Sequence, residues 1–286
     1  MPARKLSIIT TTIALTLTTL SINTYADGLA DLQTALNRLN GSTPISAQLE
    51  SSYTAHRGKK KKQKTTTGFV QIGLTDSEQG LQVLYSNQTL LNSELEANEK
   101  EQDEEFDTPT LNAIDGIEAT ELRNMLSAAP NLLRSLNKAK WLNEEVIEFQ
   151  DKEARKLNFE LPLEAIIDNK EVRDYVDKFS SEYSITIDEQ GIPLQSQLTF
   201  QGKGTAFIFF SLSASQTNTS TYQVIGDRLV NMRRDFTSKQ KSTWGISDSS
   251  GFKALTISAP ENMTYSANKS DDNIKNAKET NFAKGG

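Results

Sequence analysis

From Ile45 onward apolar and polar residues alternate one for one. Ile45, Ala47, Leu49, Ser51 and Tyr53 are set against Ser46, Gln48, Glu50 and Ser52. A period of two sends successive side chains to opposite faces of a strand, so the pattern specifies a sheet with one buried and one wet face. The same beat returns in Val70, Ile72 and Leu74, and again in Leu81, Val83 and Tyr85, with the turn-rich Thr75-Asp76-Ser77-Glu78 between them. Further on, residues 145–150 and 156–161 flank a polar turn at Asp151-Lys152-Glu153. Residues 183–187 and 192–201 read as a hairpin in which Gly191 supplies a positive backbone angle. Residues 205–214, 221–225, 228–241 and 252–258 complete an antiparallel succession.

Helical signals are fewer. Residues 27–40 carry Leu29, Leu32, Leu36 and Leu39 at spacings of three and four, with Gly41 placed to end a helix. In residues 89–138 strand signals vanish. Within that stretch, 94–107 holds eight carboxylates against Lys100 alone, which predicts a solvated or disordered tip. Residues 118–127 and 131–138 read as two short helices broken at Pro130, and 169–179 as a helix through Val172, Tyr175, Val176 and Phe179. Strands joined by short turns, with helices segregated from them, predict an α+β fold. The expected architecture is an antiparallel incomplete (half) β-barrel covered on one face by helices, a single domain over residues 27–261 with a helical, acidic insertion at about 89–138. The tail, 262–286, is polar and expected to be disordered.

Residues 1–26 read as a cleavable signal peptide: Arg4 and Lys5, a Thr-diluted apolar stretch from Leu6 to Ile22, then the small-residue exit Thr24-Tyr25-Ala26. The chain of 286 residues contains no cysteine, which excludes a disulfide framework and a cysteine-linked lipid anchor. The expectation is a soluble periplasmic protein.

Catalytic signals are absent. The single histidine, His56, stands on a polar strand position and no Gly-x-Ser-x-Gly stands near it, so nucleophilic catalysis has no base to build on. Gly202-Lys203-Gly204 reads as a turn between strands. Glu144, Glu145 and Glu148 are close enough in sequence to suggest a metal or acid/base cluster, but on a strand Glu144 and Glu148 simply share the wet face. Neither a cofactor nor a metal site is expected.

Arg57, Lys59, Lys60, Lys61, Lys62 and Lys64 form a basic loop. Near an anionic membrane surface each such residue contributes about 1 kcal/mol, and without interleaved aromatics the stretch does not point to nucleic acid. A solvated hairpin tip, or attraction to the acidic 94–107 run, are the competing readings. Residues 206–212, Ala-Phe-Ile-Phe-Phe-Ser-Leu, are apolar at both parities, which predicts a strand dry on both faces. Phe207 and Phe209, with Leu126 and Leu133 from the helical segment, are the expected lining of an apolar cavity.

The leucine-striped helix (Leu32, Leu36, Leu39), its passage into Ile45, Ala47 and Leu49, then Gly68-Phe69-Val70-Gln71-Ile72 and Leu81-Gln82-Val83-Leu84-Tyr85, resembles the periplasmic outer-membrane lipoprotein carrier (LolA/LolB-like) superfamily. The resemblance implies an incomplete antiparallel barrel wrapped around helices that act as a lid. The functional expectation is a carrier that sequesters an apolar ligand, a lipid or an acylated protein segment, between curved sheet and helical lid. The alternative is a non-enzymatic envelope protein–protein interaction module with a filled core.

Overall fold

The computed structural model describes residues 27–59, 62–167, 169–206, 210–243 and 245–258. The leader, Lys60, Lys61, Phe207, Phe209 and the 262–286 tail lie outside them. Ten strands form one antiparallel sheet: β1 (Ile45–Lys59), β2 (Lys62–Ser77), β3 (Gly80–Tyr85), β4 (Lys140–Phe149), β5 (Lys152–Glu160), β6 (Val176–Ile187), β7 (Pro193–Ala206), β8 (Phe210–Ile225), β9 (Arg228–Ser242) and β10 (Gly245–Ile257). Their order across the sheet is β3-β2-β1-β10-β9-β8-β7-β6-β5-β4, so β3 and β4 are the two edges.

The alternation at Ile45 does what a period of two demands. Ile45, Ala47 and Leu49 are buried, and the register sets Leu49 beside Ile72 on one side and Leu255 on the other, so three strands share one dry face. The opposite face is hydroxyl-rich. Thr199, Thr217, Thr237, Ser250, Thr54 and Thr67 stand in register across six successive strands.

Between the two edges run α2 (Asn87–Gln102), α3 (Pro109–Asp115), α4 (Ala119–Leu126) and α5 (Ala129–Lys138). Along the way α2 and α3 contact β2, α3 also contacts β1, and α4 and α5 contact β9. The N-terminal helix α1 (Gly28–Arg38) contacts α5 and β5. One apolar cluster joins Leu32 and Leu36 of α1 and Leu132 of α5 to Leu157 of β5 and Ile185 and Ile187 of β6. A second joins Leu122, Met125 and Leu126 of α4 to Leu49, Ile72, Leu74 and Leu255. Full burial of each such side chain contributes about 1.5–3 kcal/mol, so these two clusters hold helices and sheet together.

Several expectations are corrected. Residues 169–179 are not one helix: α7 covers Lys170–Arg173, after a short α6 (Leu163–Ile166), and Val176 already begins β6. Pairing with β7, with Phe179 opposite Gly202 and its ring 6.4 Å from that of Phe200, overrides the helical spacing. Residues 205–214 are not one strand either. β7 ends at Ala206 and β8 starts at Phe210, which pairs back with Ala206, so the expected strand is divided between two antiparallel neighbours. Gly202 to Gly204 lie within β7, where a Cβ on Gly204 would stand 2.0 Å from the Tyr175 carbonyl oxygen.

The basic stretch is mostly strand, since β1 runs to Lys59 and β2 starts at Lys62. The acidic stretch is helical through Gln102, and Glu96 accepts from Thr110 N (3.0 Å) and Leu111 N (2.9 Å) at the start of α3. Pro130 sits in the first turn of α5 instead of breaking a helix, because its missing N–H has no partner to lose there. The turn after β4 falls at Gln150 and Asp151, both at positive φ (53° and 61°), one residue early. Glu144 does not face water. Its side chain is 19% exposed, accepts from Gly28 N at 3.1 Å and pairs with Arg155 at 3.7 Å, anchoring the start of α1 beside the Asp27 cap.

Candidate ligand-binding cavity

A cavity of about 460 Å³ lies between α4–α5 and the buried face of β6–β9. Its helical wall presents Met125, Leu132 and Asn131, and its sheet wall Leu198, Tyr183, Ser196, Asn218, Ser220, Tyr222 and Asn231, with Leu161 beside them. Ser196 and Tyr222 share a hydroxyl–hydroxyl bond of 2.7 Å across β7 and β8. The Asn231 amide is best satisfied with Nδ2 donating to the Arg233 carbonyl (2.8 Å) and the Thr221 carbonyl (3.3 Å), while Oδ1 accepts from Ser220 Oγ (3.1 Å). Tyr222 keeps the alternation of Asn218 and Ser220 along β8, whereas the register shift opposite Thr221 and Tyr222 adds Met232 to β9 and lets both Asn231 and Arg234 line the cavity.

Burial raises the pKa of Tyr183 well above that of a free phenol, with the neighbouring Tyr222 adding to it. Burial also raises Tyr222, partly offset by hydrogen bonds with Ser196 and Ser220 and by the charge of Arg234. Both phenols are therefore neutral at ordinary pH and offer O–H groups to a ligand. At the rim, Arg234 Nη1 donates to Glu121 Oε1 at 3.0 Å, and Lys253 Nζ donates to Glu121 Oε2 and, at 3.0 Å, to the Gly116 carbonyl. Glu121 thus ties α4 to β9 and β10.

Further along the same face lies a second cavity, about 270 Å³, lined by Tyr175, Val176, Phe179, Phe200, Leu212, Ala214 and Ile167. Leu198 of the first cavity and Phe200 of the second are alternate residues of β7, so one wall is continuous between them. The first cavity has polar and apolar walls; the second is almost wholly apolar.

Of the expected lining residues, Leu126 is fully buried in the α4 cluster and Leu133 is partly buried against the α1–α5 cluster; neither borders the two cavities. Phe207 and Phe209 lie outside the described residues. The basic residues Arg57, Lys59, Lys62 and Lys64 are exposed, and Lys64 pairs with Glu105 at 3.1 Å, so attraction between the basic and acidic stretches is present in the fold. His56 is exposed beside Thr65 Oγ1 at 3.0 Å.

The cavity residues Ser196, Asn218, Ser220, Tyr222, Asn231, Arg234 and Glu121 were not singled out from sequence. The signal was there: Ser196 precedes Leu198 at the inward parity of β7, and a polar residue on an inward parity marks either a hydrogen-bonded core position or a cavity.

Comparison with known proteins returns no match: no family model, no curated protein and no solved structure matches this chain. Among the described residues no helix is long and apolar enough to cross a membrane.

Proposed function

We propose that this chain is an exported, non-enzymatic binding protein that carries a lipid or an acylated protein segment between its sheet and α4–α5. The observation that carries this reading is the 460 Å³ cavity bounded by helix on one side and sheet on the other. Its mixed walls suit an amphiphile: Arg234, Ser196 and Tyr222 meet polar head atoms, and Met125, Leu132 and Leu198 meet the apolar part. The apolar second cavity extends the same face for a tail, and each methylene taken from water adds about 0.8 kcal/mol.

In this reading the sheet is a LolA/LolB-like half-barrel and α4–α5 form its lid. Ligand exchange requires α4 to leave the sheet, against the Glu121 contacts. The export-signal pattern of residues 1–26 supports a periplasmic location.

Native mass spectrometry of protein purified from its host, followed by titration of the stripped protein with a fluorescent fatty acid, tests the proposal. A bound amphiphile mass, or saturable probe binding abolished by Ser196→Trp, is expected. An empty protein that leaves the probe unbound would overturn it.

The interaction-module reading is favoured by one observation: Leu90, Leu91 and Leu95 of α2 are each more than half exposed. A carrier-negative result with a co-purifying protein lost in Leu91→Ser would support it instead.

A further inference from the structure

The geometry points to the β7–β8 end of the sheet as a docking surface for an anionic lipid bilayer. Antiparallel register gathers strand ends that are far apart in sequence. Lys178, Lys203, Ser213, Lys241 and Ile246 form one transverse row across β6 to β10, and Lys239 stands two residues along β9 from Lys241, on the same face. Lys178, Lys203, Lys239 and Lys241 are all exposed, and none has a salt bridge among the described residues.

Lys178 and Lys203 are direct cross-strand neighbours. Like charges so placed are destabilising within the fold, so an external anion that meets both removes a repulsion as well as gaining an attraction. The carboxylates on these strand ends are Asp177, which accepts from Thr205 Oγ1 at 3.0 Å, and Asp248, opposite Lys239. In a chain of net charge −6, four unpaired lysines on one end form a local field opposite in sign to the molecule.

Two large apolar side chains stand exposed at the same end, Tyr175 (48%) before β6 and Leu212 (39%) in β8. Both border the apolar second cavity. The lysine row stands on the hydroxyl-rich face and Tyr175 and Leu212 on the cavity face, so a bilayer met end-on by these strand tips takes both: ammonium groups reach phosphates, and the Tyr ring and Leu side chain lie among glycerol and upper acyl carbons. An acidic protein would match the lysines but leave Tyr175 and Leu212 without a reason to be bare. The surface is centred on β6–β9, one side of the basic hairpin that the sequence singles out; in that hairpin Lys64 is already paired with Glu105.

The test is co-sedimentation of the mature full chain with vesicles of phosphatidylcholine alone or with about one-third phosphatidylglycerol, at about 0.05 M and about 0.5 M salt. Binding is expected only to the anionic vesicles at low salt. Each of Lys178→Thr, Lys203→Thr, Lys239→Thr and Lys241→Thr is expected to lower the partition coefficient about five-fold, and the quadruple variant by two to three orders of magnitude. Threonine suits exposed strand positions, so circular dichroism should show an unchanged fold. Leu212→Ser should also lower the low-salt partition coefficient, by removing an apolar contact. Failure of the parent to bind anionic vesicles, or undiminished binding by the folded quadruple variant, would overturn the proposal. None of these substitutions touches the larger cavity, so its occupancy is a separate result.

Discussion

Arg234 of β9 and Glu121 of α4 meet at 3.0 Å, and their carboxylate–guanidinium contact is the polar fastening between the helical connection and the sheet at the mouth of the larger cavity. The Glu121 side chain is 21% exposed and also receives Lys253, itself 12% exposed. Glu121→Ala removes the carboxylate from two cations, leaving Lys253 only the Gly116 carbonyl. A loss of about 1–3 kcal/mol in urea unfolding is expected. Amide exchange over residues 119–126 should accelerate by more than that global loss explains, and exchange that merely follows global unfolding would show that Glu121 is no latch.

Tyr183 and Tyr222 are predicted to make the protein sensitive to base. Both have folded-state pKa values raised above that of an exposed phenol, chiefly by burial. The unfolded chain therefore releases these protons first, and stability is full below the ordinary tyrosine value of about 10 and is lost as pH rises through it. Phenolate absorbance should show these two tyrosines titrating late, together with unfolding. Tyr183→Phe should flatten the alkaline slope, and an unchanged slope would show that the ring is not withheld from solvent.

Arg228 and Asp76 form a buried ion pair with side chains 6% and 13% exposed, next to the bridge between Asn40 and Arg228. Arg228 Nε is buried without a hydrogen-bond partner, so the guanidinium depends on Asp76. Asp76→Ala should cost about 3–5 kcal/mol in denaturant unfolding, because it strands a buried charge. Adding Arg228→Met should restore much of that loss. Additive losses in the double variant would argue against the pairing.

Leu36 of α1 is fully buried, whereas Leu91 of α2 is 54% exposed. Leu36→Ala should lower stability by about 2–5 kcal/mol, and Leu91→Ala should stay within about 0.5 kcal/mol. Thermal denaturation of the two variants side by side decides whether α1 is integral to the core or peripheral.

The strands from Ile45 to Tyr85 were legible because each buries one parity, which is a local property of the sequence. The 183–201 hairpin was legible for a different reason: Gly191 does adopt φ 78°, and Asp188 Oδ1 accepts from Gln190 N and Ile192 N to close the turn. What misled was context. Val172, Val176 and Phe179 keep helical spacing, but the pairing of β6 with β7 claims the last two. The apolar run around Phe210 satisfies both parities of a strand and says nothing of where a hairpin turns. Glu144 looked solvated because its partner, the N-terminus of α1, lies 116 residues away in sequence. The larger cavity was illegible as a whole, since Glu121, Ser196, Tyr222 and Arg234 converge only once α4 lies against β9.

The chain leaves the sheet at one margin, β3, and rejoins it at the other, β4, with α2 to α5 spanning the interval. Nine steps of roughly 4.8 Å separate those margins measured along the sheet. The helices are thus strung like a bow between two fixed posts. They cannot swing away as a free flap: α4 can leave β9 only by bowing outward between the posts, and a single proteolytic nick near Gly116 should slacken the string without detaching either post.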